Sequence, residues 1–134
     1  MNIDIRTFTR LLGVLLLAAA SAAQAAEVAR AQFTTAVEGR EPMDRIETLD
    51  SSHGRVYFFS EIRGGQGQTI THRWLYQGRT MAEVSFEIGG PRWRVWSSKT
   101  LIPAWIGTWT VQVVDDEGRI LAERRFEYVE RSDT

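Results

Sequence analysis

After residue 26 the apolar side chains of this chain fall into short runs, many of them strictly alternating, separated by Gly, Pro and acidic clusters. A helix would need apolar residues three and four apart, and that period is nearly absent. Alternation with period two sends one row of side chains to each face of a strand, so the sequence predicts an all-β domain.

The first strand is predicted at about Ala31 to Val37, with Ala31, Phe33, Thr35 and Val37 on one face and Gln32 and Thr34 on the other. Residues 39–50, with Pro42 and several charges, read as a connection holding a short edge strand around Arg45 to Leu49. Arg55 to Ile62 carries Val56 and Phe58 on one face and Tyr57 and Phe59 on the other, the pattern of a central strand covered on both sides. After the turn Gly64-Gly65-Gln66-Gly67-Gln68, the strand Thr69 to Tyr76 aligns Ile70, His72, Trp74 and Tyr76. Gln77-Gly78-Arg79 closes a hairpin into Met81 to Ile88, where Ala82, Val84, Phe86 and Ile88 alternate with Glu83, Ser85 and Glu87.

Gly89-Gly90-Pro91 turns into the strand Arg92 to Ser97, followed by a loop to Ile106. A last hairpin joins Thr108 to Val114 and Arg119 to Val129 through Asp115-Asp116-Glu117-Gly118. Arg124 falls on the apolar parity of Ile120, Ala122, Phe126 and Tyr128, which calls for a bulge nearby or an edge where its head reaches water. Seven to eight strands, hairpin-connected and with a Trp on a middle strand, predict an immunoglobulin-like two-sheet antiparallel sandwich rather than a small barrel.

The chain has 134 residues. Arg6 and Arg10 precede the apolar run Leu11 to Ala20, and Ala23-Gln24-Ala25 follows, so residues 1–25 read as a secretory signal peptide cut after Ala25. The run is shorter than the roughly 20 residues that span a bilayer, which disfavours an uncleaved anchor. Residues 26–50 then hold the N-terminal strand and connection, 51–130 the sandwich core of the same domain, and 131–134 a frayed tail. Export implies a periplasmic or secreted bacterial protein with no membrane span once the leader is gone.

With no Cys, the domain has neither disulfides nor thiolate metal ligands and depends on its core. Trp74, Trp93, Trp105 and Trp109 are the large side chains expected to fill it. Beyond residue 25 the chain has 14 basic and 16 acidic residues, a net charge of −2, which gives nucleic acid or anionic lipid no general attraction.

Three segments together resemble family 2914 of bacterial domains of unknown function. They are Gly54-Arg55-Val56-Tyr57-Phe58-Phe59-Ser60-Glu61, Thr71-His72-Arg73-Trp74-Leu75-Tyr76, and Trp93-Arg94-Val95-Trp96-Ser97-Ser98-Lys99-Thr100-Leu101 running into Gly107-Thr108-Trp109-Thr110-Val111. The resemblance covers roughly Asp50 to Val129. It implies a compact extracytoplasmic β domain, joined to membrane segments in other proteins, and no activity or ligand.

Strict alternation in Arg92-Trp93-Arg94-Val95-Trp96-Ser97 turns Trp93 and Val95 inward and leaves Arg92, Arg94 and Trp96 outside. Two guanidinium groups beside an indole can stack on a sugar ring or peptide and pair with a carboxylate. The structural alternative pairs the arginines with Glu83 or Glu87 and packs Trp96 under the Ser98 to Ile106 loop. Arg73 is a candidate neighbour of this face.

His72 suggests a general base, but it shares parity with Trp74 and no nucleophile motif accompanies it, so it reads first as a hydrogen-bonded, half-buried structural histidine. His53 and His72 have no metal-site spacing. Ser97-Ser98-Lys99 lacks the Ser-x-x-Lys spacing and reads as a strand-end turn with solvated hydroxyls.

No catalytic residue, metal or cofactor is assigned. The leading reading is a non-catalytic envelope module that binds a cell-wall glycan or a protein partner through Arg73, Arg92, Arg94 and Trp96. The alternatives are a hydrolase or transferase using His72, and a structural subunit that pairs an edge strand with its partner.

Overall fold

The structure, a computed structural model, describes residues 24–132. Most of the predicted leader and the last two residues of the predicted tail lie outside the described residues. Ten strands follow in order: β1 (Glu27–Thr34), β2 (Val37–Glu38), β3 (Glu41–Pro42), β4 (Thr48–Asp50), β5 (Arg55–Arg63), β6 (Thr69–Tyr76), β7 (Arg79–Glu87), β8 (Arg92–Thr100), β9 (Gly107–Val114) and β10 (Ile120–Val129). Eight of them build an all-β sandwich, a three-stranded sheet ordered β1-β5-β8 facing a five-stranded sheet ordered β4-β10-β9-β6-β7. The short ribbon β2-β3 is hydrogen-bonded into neither sheet.

Alternation explains the core. Val56, Phe58 and Ile62 of β5 meet Ile70 and Trp74 of β6, Trp109, Val111 and Val113 of β9, and Phe126 and Tyr128 of β10, all with almost no exposure. Phe33 sits at the centre, edge-on to Phe58, Trp74 and Phe126 with ring centroids 4.7–6.0 Å apart, an arrangement favoured by the aromatic quadrupole. Tyr76 stacks on Trp109 at 4.9 Å and donates through its hydroxyl to the Ile106 carbonyl.

Several boundaries differ from the sequence reading. β1 spans 27–34 rather than 31–37, because its start pairs with the end of β5 (Glu27 with Arg63) and its end is stopped by Asp44. The Asp44 carboxylate accepts from the Thr34 hydroxyl and the Thr35 amide, folding the chain into the β2-β3 ribbon. The edge strand expected at 45–49 is β4, Thr48–Asp50, and it pairs with β10 in parallel, whereas the other pairings among the named strands are antiparallel. β8 runs on to Thr100, and the loop after it holds one 3₁₀ turn, Pro103–Trp105. A bulge falls between Ile120 and Ala122, and the exposed Arg124 turns its head back to the Glu123 carbonyl.

Four expected core tryptophans divide. Trp74 and Trp109 are fully buried and Trp105 is half-buried against Trp109, but Trp93 is 39% exposed. It begins an edge strand, where only β5 flanks it, and its ring lies over Gly89 because that residue has no side chain.

The turn after β5 is built for close approach. Gly64 and Gly65 both take positive φ (67° and 70°), and a methyl on Gly65 would lie 2.6 Å from the Cβ of Ala26. Gly78, also at positive φ (79°), has open space around it. Gly65→Ala should therefore destabilise by roughly 2 kcal/mol or more, and Gly78→Ala by about 1, since only the former adds a clash to backbone strain. Urea midpoints would show it; equal shifts for the two variants would refute the seat assigned to Ala26.

Candidate functional site

Alternation turns Tyr57, Phe59, Glu61 and Arg63 of β5, Arg30 and Gln32 of β1, and Arg92, Arg94 and Trp96 of β8 to the outer face of the three-stranded sheet. Register sets Trp96 beside Phe59 and Arg94 beside Glu61, with Arg30 on the far side of Glu61. Phe59 has no exposure although it points away from the core, and the Arg30 guanidinium lies 4.9 Å over its ring.

Glu61, 2% exposed, is the electrostatic centre of this face. Its Oε1 accepts from Arg30 Nη2 at 2.8 Å and Arg92 Nη2 at 3.2 Å, and its Oε2 accepts from Arg63 Nε at 3.0 Å. Burial works to raise its pKa, but the hydrogen bonds from Arg30, Arg92 and Arg63 outweigh burial and hold it at about 2. The β2-β3 ribbon supplies a second carboxylate. Glu41 accepts from Arg30 through both oxygens (2.8 and 3.2 Å) and from Arg94 Nη1 at 2.9 Å, and these partners, Arg30 first, keep its pKa below the usual carboxylate range.

Beside this network a shallow concavity of about 240 Å³ is lined by Arg40, Trp93, Arg94 and Trp96. Trp96 is 37% exposed. Arg40 forms no ion pair among the described residues, and it holds a positive φ of 61° at the ribbon's tip, next to Gly39 at 56°. Two consecutive positive φ values make this a tight two-residue hairpin turn, in which an arginine is an uncommon occupant. Nothing in the alternation of the sequence marks Arg40 or Glu41; only folding of the ribbon brings them to β8.

Of the four sequence-selected residues, Arg92, Arg94 and Trp96 share this face. Arg73 does not. It lies on β6, on the outer side of the opposite sheet, where it bonds Glu83 and Gln112. The expected pairing of Arg92 and Arg94 with Glu83 or Glu87 is replaced by Glu61 and Glu41, because β8 crosses to the sheet of β5 instead of pairing with β7. Trp96 stays 37% exposed beside the concavity, and in the following loop Trp105 carries the Lys99 ammonium 4.9 Å over its indole.

His72 is enclosed between the sheets with zero exposure, deeper than the half-buried position expected. Its Nε2 is 2.7 Å from Ser60 Oγ and its Nδ1 2.8 Å from Ser97 Oγ, while Trp74 Nε1 donates to Ser97 Oγ at 3.0 Å. Ser97 is thus a buried member of this network, not a solvated turn residue, since it shares the inward parity of Val95. Burial pushes the His72 pKa down to about 3, so the ring is neutral at ordinary pH. A histidine beside a serine resembles a catalytic pair, but this one has no route to a substrate. The described residues contain no group of three or more His, Asp or Glu placed to hold a metal ion.

Comparison with known proteins adds a family match over part of the chain. Residues 67–128 match the model of the family described as Protein of unknown function (DUF2914). The match bears out the resemblance drawn from the His-Arg-Trp and Trp-Arg-Val-Trp-Ser-Ser-Lys segments, and it leaves β1 to β5 outside its span. Trp93, Arg94 and Trp96 lie within the DUF2914 match, whereas Arg40 and Glu41 precede it. Among solved structures, the Pseudomonas fluorescens alkylpurine DNA glycosylase AlkC, bound to DNA containing an abasic site analog, aligns with a TM-score of 0.52 and 14% identity. The alignment covers 88% of this chain and 33% of the glycosylase chain, and at that identity it speaks for the fold alone. No curated protein matches the chain. No helix among the described residues is long and apolar enough to cross a membrane.

Proposed function

We propose that this protein is a non-catalytic binding module of the bacterial envelope, exported by its N-terminal leader, which takes a cell-wall glycan at the concavity of Arg40, Trp93, Arg94 and Trp96. The observation that carries the reading is the pairing of two part-exposed indoles with a guanidinium that has no ion-pair partner among the described residues and is held in a costly backbone conformation. Exposed tryptophans are unusual on a monomer, and strained residues tend to persist where function needs them. Indole faces stack on sugar rings, and guanidinium groups pair with the carboxylates that such fragments carry. A cavity of about 240 Å³ suits one ring or one terminal group rather than a large folded partner.

The hydrolase reading loses its base, because His72 is sealed in and burial, which lowers its pKa to about 3, leaves it a poor proton acceptor. DNA, the ligand in the glycosylase structure, fits poorly with a chain of formal net charge −1.

Titration of a disaccharide-tetrapeptide fragment of peptidoglycan, followed by tryptophan fluorescence, tests the proposal. The double variant Arg94→Ala/Trp96→Ala should bind at least about tenfold more weakly than the wild type, the loss of one stacking and one charged contact. Equal affinity in the two proteins would remove this face from consideration.

A further inference from the structure

The two carboxylates on the arginine face differ in how firmly they are held. Glu61 belongs to β5, the central strand of its sheet, and is closed in by three guanidinium groups. Glu41 belongs to a short ribbon of two-residue strands, in which Val37 pairs with Pro42 and Glu38 with Glu41 and the Met43 amide donates to the Ala36 carbonyl, and its side chain is 42% exposed. Yet it occupies the point where Arg30 and Arg94 converge, with Arg30 gripping it in the two-oxygen fork by which guanidinium recognises a carboxylate.

Arg94 also lines the concavity, so its guanidinium faces an internal carboxylate on one side and the open cavity on the other. The residue before Glu41 is Arg40, which lines the same cavity from the ribbon's tip. A displacement of the ribbon backbone that lifts Glu41 off Arg94 therefore also moves Arg40.

We propose that Glu41 is a built-in stand-in for the ligand's carboxylate, and that the β2-β3 ribbon is a latch which a carboxylate-bearing glycan displaces. This rests on the binding reading above and adds the chemical group recognised and the means of regulation. The ligand's carboxylate takes over the Arg94 and Arg30 donors, its sugar ring lies against Trp96, and the freed ribbon carries Arg40 with it. Competition with a tethered carboxylate keeps affinity for weakly binding acids low, because the internal group is present at high effective concentration, and it leaves ligands without a carboxylate unaffected.

The test compares the same disaccharide-tetrapeptide fragment with its carboxyl-amidated form, on wild type, Glu41→Gln, Glu41→Asp, Glu38→Gln and Arg94→Ala. Glu38→Gln removes the same charge from the same ribbon without touching an ion pair. The expected result is that Glu41→Gln binds the acidic fragment at least tenfold more tightly than wild type, Glu41→Asp by an intermediate factor and Glu38→Gln by less than threefold, with no gain for the amidated form. Glu41→Asp keeps the charge and shortens the reach by one methylene, so it answers the question even if the glutamine variant loosens the ribbon. Unchanged or weaker binding by both Glu41 variants, with Arg94→Ala still impaired, overturns the latch and leaves the binding site standing. A gain no larger than that of Glu38→Gln overturns it as well, in favour of a general charge effect. Absence of binding in wild type and both Glu41 variants overturns the binding reading, and the latch with it.

Discussion

Trp74→Ala should destabilise the fold by about 3 to 5 kcal/mol and lower the melting temperature by ten degrees or more. The indole is wholly buried, lies edge-on to Phe33 and Phe58, and donates its N–H to Ser97. Truncation opens a cavity between the sheets and takes a donor from a serine that also serves His72. Trp93→Ala is the internal comparison. Its ring is 39% exposed and rests on Gly89, so its loss should cost well under half as much. Thermal unfolding of the two variants decides the matter, and comparable melting points for Trp74→Ala and wild type would falsify the assignment of Trp74 as the central core residue.

Acidification from pH 6.5 to 4.5 should weaken the fold by about 2 kcal/mol, and the group responsible is His72. The sign follows from where the proton binds. In the folded chain the ring stays neutral until about pH 3, because burial opposes charging, whereas an unfolded chain takes up the proton near pH 6.5. Between those values the unfolded state holds the extra proton, and each unit of acidification favours it by about 1.4 kcal/mol. Below about pH 4.5 Glu61 joins in: its folded pKa is about 2, so the stability its three arginine partners confer is present above 4.5 and lost as the pH falls towards 2. Urea midpoints at pH 7, 5.5 and 4.5 measure the effect. His72→Gln should flatten the slope between 6.5 and 4.5 whatever its stability at pH 7, and a slope unchanged by that substitution would assign the acid sensitivity elsewhere.

Strand positions and inward faces were readable because alternation is a local property. Ala82, Val84, Phe86 and Ile88 are all buried or half-buried, as their spacing requires, and Glu83, Ser85 and Glu87 are exposed. Which sheet a strand joins is not local. Nothing in the alternation of β7 and β8 distinguishes a hairpin from a crossing, and the Gly89-Gly90-Pro91 turn carries the chain to the other sheet, which replaces the expected partners of Arg92 and Arg94.

The acid-base network had an unread signal. Glu61 sits between Ser60 and Ile62 in the most apolar strand, and a carboxylate there needs cations beside it; Arg30 of β1, Arg92 of β8 and Arg63 of its own strand are those cations. Likewise Ser60, His72 and Ser97 all occupy inward parity, so three strands each present one polar group to the core. Arg40 gave no such signal, since its place depends on a two-residue turn closed by Asp44 from outside the ribbon.

The parallel pairing of β4 with β10 has a consequence for the order in which the molecule can be assembled. Thr48 aligns with Glu127, so a segment made early is fastened by a strand made after every other strand of the domain. Pairings this distant in sequence slow folding and cannot form on a growing chain. The five-stranded sheet therefore stays incomplete until Val129 has been synthesised, so its β4 edge is the last part of the domain that can be fastened.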